Sequence, residues 1–331
     1  MAGTGDWDWR LATGDWRLIV DVIHFPDDSR PPRWKSPVLA LGNFDGLHRG
    51  HRKILERMRR VASERGATPI VMTFDPHPPR VVRPDKAPPL IMTKAQKLEA
   101  LDEAGCQGVA IVRFTPELSQ WDPETFVRTV LVEWLHVSEV WVGANFLFGH
   151  DRAGNFTLLR TLGARYGFKA EKIDPVRYKD FVVSSTRVRR LISEARVDEA
   201  SALLGHPYFI DGMVVKGDQR GRTIGFPTAN LCTENELIPP HGVYATTAIV
   251  DGIVRPSITN IGTRPTIDAA GKRTIETHLF DFDRDLYGMN IRLAFVQRLR
   301  DERAFESLDA LKAQIAADCA RARVLFDRLS L

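Results

Sequence analysis

From Pro37 onward, short apolar runs alternate with stretches whose apolar residues recur at helical spacing. PVLALGNF reads as a buried strand, an apolar run closed by Gly and Asn. In GLHRGHRKILERMRRVASERG, Ile54, Leu55, Met58 and Val61 share a helical face, and Gly66 is a stop signal. TPIVMTF is a second buried strand, TKAQKLEALDEAG a helix ending at Gly105, and GVAIVRF a third strand. DPETFVRTVLVEWL predicts a helix capped by Asp122, with Pro123 at its first position. SEVWVGANF is a fourth strand, and NFTLLRTLGARYG another helix closed by glycine. Strands alternating with helices imply right-handed crossovers and a mostly parallel sheet, hence an α/β domain.

After about residue 205 the pattern changes. YFIDGMVVKGD, GVYATTAIVDGIVRPSITNIG, TIETHLFDF and MNIRLAFVQRLR read as short strands separated by Gly, Asp, Asn and Pro, with no helix between them. That predicts an antiparallel sheet closed as a small β-barrel. ESLDALKAQIAADCARARVLF is an amphipathic C-terminal helix, and RVRRLISEARVDEASALLG a helix bridging the two regions. The expected domains are 15–205 and 206–331. An N-terminal extension carrying Trp7, Trp9 and Trp16 among Gly and Asp reads as a flexible segment.

The length of 331 residues fits two domains. No apolar stretch approaches the roughly 20 residues of a membrane helix, and the N-terminus lacks a basic region followed by an apolar core. Cys106, Cys232 and Cys319 form no CxxC pair, so neither a disulfide framework nor a zinc site is indicated. A cytoplasmic protein without a membrane partner is expected. The net charge of +4 suits phosphate-bearing small molecules and gives little support for a nucleic-acid partner. The run Arg187, Arg189, Arg190 reads equally as a solvated helix start. Oligomeric state stays open, a homo-oligomer included.

The sharpest local feature is GNFDGLHRGH, residues 42–51, where a strand turns into a helix. In a parallel sheet such a turn lies at the edge where ligands bind. Its glycines let backbone approach a phosphate, and the helix start offers free N–H groups. His48 and His51 are three apart and face the same way. They suit phosphate oxygens; capping the helix is the plainer reading. A metal reading lacks the HExxH pattern and a third ligand.

A second constellation is GDQRGRTIGFPTANL, residues 217–231. Its glycines and arginines suit a loop that wraps phosphates, although it is not the Walker pattern. Thr228 and Asn230 offer neutral oxygens two residues apart, on one side of an extended strand, convenient for Mg²⁺ between phosphates. A hairpin turn leading into a strand explains the same residues. Glu276 lies on a probable strand, where a carboxylate can accept a proton from an alcohol; a solvated surface glutamate is the plainer alternative.

GNFDGLHRGH resembles the HxGH motif of the nucleotidylyltransferase superfamily, and VSSTRVR, residues 183–189, resembles its ISSTxxR motif. VGANFLFGHDRAGN and TFDPHPP resemble the adenylyltransferase half of bacterial FAD synthetases. PTAN, GVYA, NIGTRPT, ETHLFDF, LYG and LRDERAF, in that order, resemble riboflavin kinase over about residues 205–325. His241 in PHGVYA is bulkier than that context leads one to expect.

The resemblance implies a Rossmann-like nucleotidylyltransferase domain followed by a kinase-type barrel, together making FMN from riboflavin and then FAD, with ATP as substrate and Mg²⁺ as cofactor. It implies that His48 and His51 stabilise the adenylyl-transfer transition state. Gly42, Asn43, Phe44, Asp45, Gly50, Asn145, Ser185, Thr186 and Arg189 would contact ATP there, with Asp75 and Phe148 on the flavin side. In the kinase, Gly217, Arg220, Gly221, Arg222, Gly225, Pro227, Thr228 and Asn230 would hold ATP, and Thr228 and Asn230 also the metal. Glu276 would be the base on the riboflavin 5′-hydroxyl and Arg300 a flavin contact. Taken alone, GNFDGLHRGH leaves the acceptor open, a pantetheine phosphate included. The barrel alone is compatible with an OB-like ligand- or RNA-binding module.

Overall fold

The computed structural model describes residues 20–217, 221, 224–264 and 272–329. Trp7, Trp9, Trp16, Arg220 and Arg222 lie outside the described residues. The chain divides after Ser185 into two compact units.

The first unit contains β1 (Asp21–Phe25), β2 (Val38–Leu41), α1 (Arg49–Arg65), β3 (Pro69–Asp75), α2 (Pro78–Val82), α3 (Lys94–Glu103) and β4 (Gly108–Arg113). Then come α4 (Pro116–Ser119), α5 (Pro123–Phe126), β5 (Glu139–Gly143), the short strands β6 (Leu147–Phe148) and β7 (Gly154–Asn155), α6 (Phe156–Tyr166) and β8 (Lys169–Ile173). A small hairpin of β9 (Arg177–Tyr178) and β10 (Phe181–Val182) follows. Six strands form a parallel sheet in the order β1-β4-β3-β2-β5-β8. The order reverses between β2 and β5, so a crevice opens beyond their carboxyl ends.

The sequence pattern predicts the four central strands of this sheet. The edge strands β1 and β8 are additional. DVIHF and KAEKI are only partly buried and lack a continuous apolar run, which is why periodicity passes over them. Past α5 the chain continues as a wider π-helical stretch, Val127–Trp134, still burying Val127, Val130 and Leu131.

α7 (Ser185–Ser193) spans the division, and α8 (Val197–Leu204) follows. One bridging helix is predicted; two are present. Ala195 takes a left-handed φ of 60°, and Arg196 N–H closes onto the Leu191 carbonyl, which ends the first helix. α8 packs on the barrel strands β11 (Tyr208–Val215) and β16 (Asn290–Arg300), and the Ser201 hydroxyl accepts from the Tyr208 N–H at 3.0 Å.

The remaining strands are β12 (Ala229–Thr233), β13 (Gly242–Val250), β14 (Ile253–Arg264) and β15 (Lys272–Leu279). The barrel is antiparallel and closed, in the order β11-β12-β15-β14-β13-β16, with β16 returning to β11. Asp251 and Gly252, both at positive φ, form the two-residue turn of the β13–β14 hairpin, the chemistry that Asp-Gly favours. Inside the barrel, Thr246 hydrogen-bonds Ser257 and Thr259, and Thr259 donates to Thr277 at 3.0 Å, so these buried hydroxyls satisfy one another. The amphipathic helix α9 (Leu308–Leu329) lays Ala322 and Phe326 on Val243, Ala245, Ile258 and Leu299. No described helix is long and apolar enough to cross a membrane.

Candidate active site

β2 ends at Leu41, and the chain crosses the sheet edge as residues 42–48 before α1 begins. This loop is held from several sides. The Gly42 N–H donates to the Met72 carbonyl, and the Thr73 hydroxyl donates to the Asn43 carbonyl at 3.1 Å. The Asp45 carboxylate, 1% exposed, accepts from the N–H groups of Ile91 and Met92. Ser185 donates its hydroxyl to the Asp45 carbonyl at 2.8 Å, so the SST segment touches the first motif directly. Phe44 and Leu47, both buried, are held at φ of 47° and 36°. Bulky residues in the left-handed region store strain that only a surrounding structure of this kind maintains.

His48 is the N-cap of α1, its Nδ1 accepting from the His51 N–H at 3.3 Å. Capping leaves the expected phosphate contact open, because in a neutral imidazole an accepting Nδ1 places the proton on Nε2. The two imidazoles stack with centroids 3.7 Å apart. Gly50 makes room for this arrangement: a Cβ there would lie 3.1 Å from the His48 ring. Burial, then His48, then Lys97 hold the His51 imidazole well below the ordinary histidine value, so it is neutral at pH 7. Its Nδ1 is shut from solvent and has no hydrogen-bond partner among the described residues.

Asn145 is exposed just beyond β5, across the switch point from the 42–48 loop. Asp75, at the end of β3, pairs with Lys94 at 3.0 Å. Phe148 is 8% exposed, its ring stacked on Phe146 at 5.4 Å and tilted against Phe126. Phe146 is the more open of the stacked pair. Thr186 and Arg189 follow Ser185 on α7, with Arg189 one helical turn beyond it.

Lys97 is a residue that motif reading missed. It sits on α3, one turn past Lys94, in the electrostatic company of Asp45, Asp75 and His51. Burial lowers its pKa; the two carboxylates oppose that and Lys94 adds to it. With His51 neutral, Lys97 and Lys94 are the basic side chains that α3 brings to this cluster.

In the barrel, Asn230 on β12 lies directly opposite Glu276 on β15, and Glu276 lies opposite Asn260 on β14. The three form one row across three strands. Asn260 belongs to NIGTRPT, but only strand register reveals its place. Gly217 and Gly221 lie against the same group. A Cβ on Gly217 would fall 2.3 Å from the Asn230 amide, and one on Gly221 2.3 Å from the Phe226 carbonyl and 3.2 Å from the Thr228 hydroxyl. Gly225 takes a φ of 87°, and the Phe226 N–H turns back to the Gly221 carbonyl. Bare backbone beside neutral oxygens, with a carboxylate opposite, is a cradle suited to Mg²⁺ arriving with phosphates. The described residues contain no cluster of three or more His, Cys, Asp or Glu for a metal held by protein alone.

Pro227 precedes this cradle, and its carbonyl accepts from Nδ1 of His278 at 2.8 Å. Arg300 ends β16 with its guanidinium on Asp318 of α9 at 2.9 Å, on the Asp301 carbonyl and over Phe305.

Residues 30–187 match the FAD synthetase family and residues 204–326 the riboflavin kinase family. The chain is 41% identical to the bifunctional riboflavin kinase/FMN adenylyltransferase of Escherichia coli K12, over 87% of this chain and 92% of that one. Its counterpart from Pseudomonas fluorescens is 40% identical, over 89% and 94% of the two chains. That from Bacillus subtilis 168 is 36% identical, over 88% and 93%. A crystal structure described as a macrolide-efflux protein from Streptococcus pneumoniae shares the fold with a TM-score of 0.83 at 28% identity, covering 92% of this chain and 99% of that one.

Proposed function

The chain belongs to the family of bifunctional riboflavin kinase/FMN adenylyltransferases, and we propose that its two reactions are divided between the two constellations, with residues 15–205 transferring adenylyl and 206–331 transferring phosphoryl. It phosphorylates riboflavin with ATP to FMN and joins FMN to AMP, giving FAD and pyrophosphate. The observation that carries the residue assignment is the register that sets Asn230 against Glu276.

In the barrel, the riboflavin 5′-hydroxyl attacks the γ-phosphorus of ATP and ADP leaves. Glu276 takes the hydroxyl proton. Thr228 and Asn230 would hold Mg²⁺, which would neutralise phosphate charge. Gly217, Gly221 and Gly225 bring backbone against the nucleotide, with Arg220 and Arg222 in the same segment. Phosphoryl transfer asks mainly for this positioning and charge stabilisation.

In the sheet unit, a phosphate oxygen of FMN attacks the α-phosphorus of ATP and pyrophosphate leaves. His48 and neutral His51 donate N–H groups to the oxygens where charge accumulates. The loop of Gly42, Asn43, Phe44 and Asp45, together with Gly50, shapes the ATP site beside Asn145. Ser185, Thr186 and Arg189 take the leaving phosphates. Asp75 and the Phe146–Phe148 face serve the flavin. The same reading places the protein in the cytoplasm, where its free cysteines remain thiols.

Paired variants test the division. Glu276→Ala is expected to abolish FMN formation while FMN is still converted to FAD, and His51→Ala to do the reverse. Each loss should be at least about a hundredfold. Loss of both activities from either substitution, in a folded protein, overturns the assignment.

A further inference from the structure

β12 pairs with β15 only at Ala229–Thr277 and Asn230–Glu276. Beyond that point comes Pro227, which has no N–H to give a ladder. Its carbonyl would lose a strand partner too, but His278 supplies one from its ring, Nδ1 to oxygen, at 2.8 Å. A carbonyl only accepts, so Nδ1 carries the proton. That donor is present whether the imidazole is neutral or protonated. The ring is also fixed edge-on to Phe226 at 5.5 Å and tilted against Phe280 at 5.9 Å. Ile275, Thr277 and Leu279 point into the barrel, so Glu276 and His278 share its other face.

We propose that His278 is a positioning residue of the kinase site: its Nδ1–H holds the Pro227 carbonyl and thereby sets Thr228 and Asn230 against Glu276. The strand carrying the phosphate-side oxygens and the strand carrying the base are thus tied at one point outside the backbone ladder. The inference rests on the assignment of Thr228 and Asn230 to nucleotide and Mg²⁺.

The test uses the full chain and three substitutions. An asparagine amide nitrogen falls near the place of Nδ1, whereas glutamine reaches toward the place of Nε2. Mg·ADP binding is measured by calorimetry, and the component lost in Asn230→Ala identifies the barrel site. His278→Ala and His278→Gln are expected to weaken that component about tenfold, the weight of one hydrogen bond, and to raise the kinase KM for ATP similarly. His278→Asn should stay within about threefold of the natural protein, and conversion of FMN to FAD should be unchanged in all three. Unchanged Mg·ADP binding in His278→Ala overturns the inference, as does equal behaviour of the asparagine and glutamine variants. So does a lowered melting temperature accompanied by loss of both activities, since that marks a purely structural role. If Asn230→Ala itself leaves Mg·ADP binding intact, the fault lies in the assignment of the cradle.

Discussion

The imidazoles of His48 and His51 lie 3.7 Å apart and within 10° of parallel. Two imidazolium ions so placed would repel, and burial already holds His51 well below the ordinary histidine value. The unfolded chain has no such restraint and takes up its proton near the ordinary value of about 6.5. On acidification the unfolded state therefore binds the proton first. His51 costs nothing above that pH and lowers stability progressively as pH falls below it. His51→Asn, neutral throughout, should lose less stability between about pH 7.5 and 5.5 than the natural protein. Urea midpoints at the two pH values measure this.

Lys97 stands beside His51, which burial keeps neutral at pH 7. If its ammonium attracts the phosphates that react beside His51, removing the charge should act on adenylyl transfer alone. Lys97→Met is expected to lower kcat/KM for FMN adenylylation by about tenfold to a hundredfold and leave riboflavin phosphorylation unchanged. Lys97→Arg should recover part of the loss. Steady-state kinetics on the two half-reactions distinguish this from an effect on folding.

Asp45 stands in the motif proposed to contact the nucleotide, yet its carboxylate accepts from two backbone N–H groups of the 91–92 segment. Asparagine keeps one accepting oxygen but turns an NH₂ toward the Ile91 N–H, which both carboxylate oxygens accept. Asp45→Asn should destabilise the sheet unit by about 1–3 kcal/mol and reduce FAD formation without changing FMN formation. Chemical denaturation followed by tryptophan fluorescence gives the first, and separation of flavin products the second.

Arg300 was expected beside the flavin, and its guanidinium is engaged by Asp318, 4% exposed on α9. Breaking such a pair strands a carboxylate. Arg300→Ala should cost about 3 kcal/mol in the unfolding of the barrel, whereas Arg300→Ala combined with Asp318→Leu should recover much of it. Recovery of stability without recovery of the KM for riboflavin would assign Arg300 both tasks.

Contiguity decides what the sequence made visible. His48 and His51 are three residues apart, and Thr228 and Asn230 two, so a short motif contains each pair together with the turn that aims it. Glu276 was found through a motif, but its partner Asn260 is set opposite it only by the β14–β15 register. Lys97 reaches the histidines because a crossover returns α3 to the sheet edge, and nothing within TKAQKL announces that. His278 needs the end of the β12–β15 ladder before its ring has a task. The central strands were legible as apolar runs, while β1 and β8 were hidden by partial exposure. The break at Ala195 was hidden because alanine carries no turn signal.

The backbone of the loop from Gly42 to His48 and the Asp45 carboxylate are bound to β3, to residues 91–92 and to Ser185 by the chain's own hydrogen bonds. A ligand entering there orders little of this segment and loses little entropy in doing so. The heat-capacity change of ATP binding at this loop should then reflect the surface the nucleotide itself covers, with no added contribution from folding of the loop. The strain at Phe44 and Leu47 has its counterweight in these same contacts, which fix the loop's shape from within the fold.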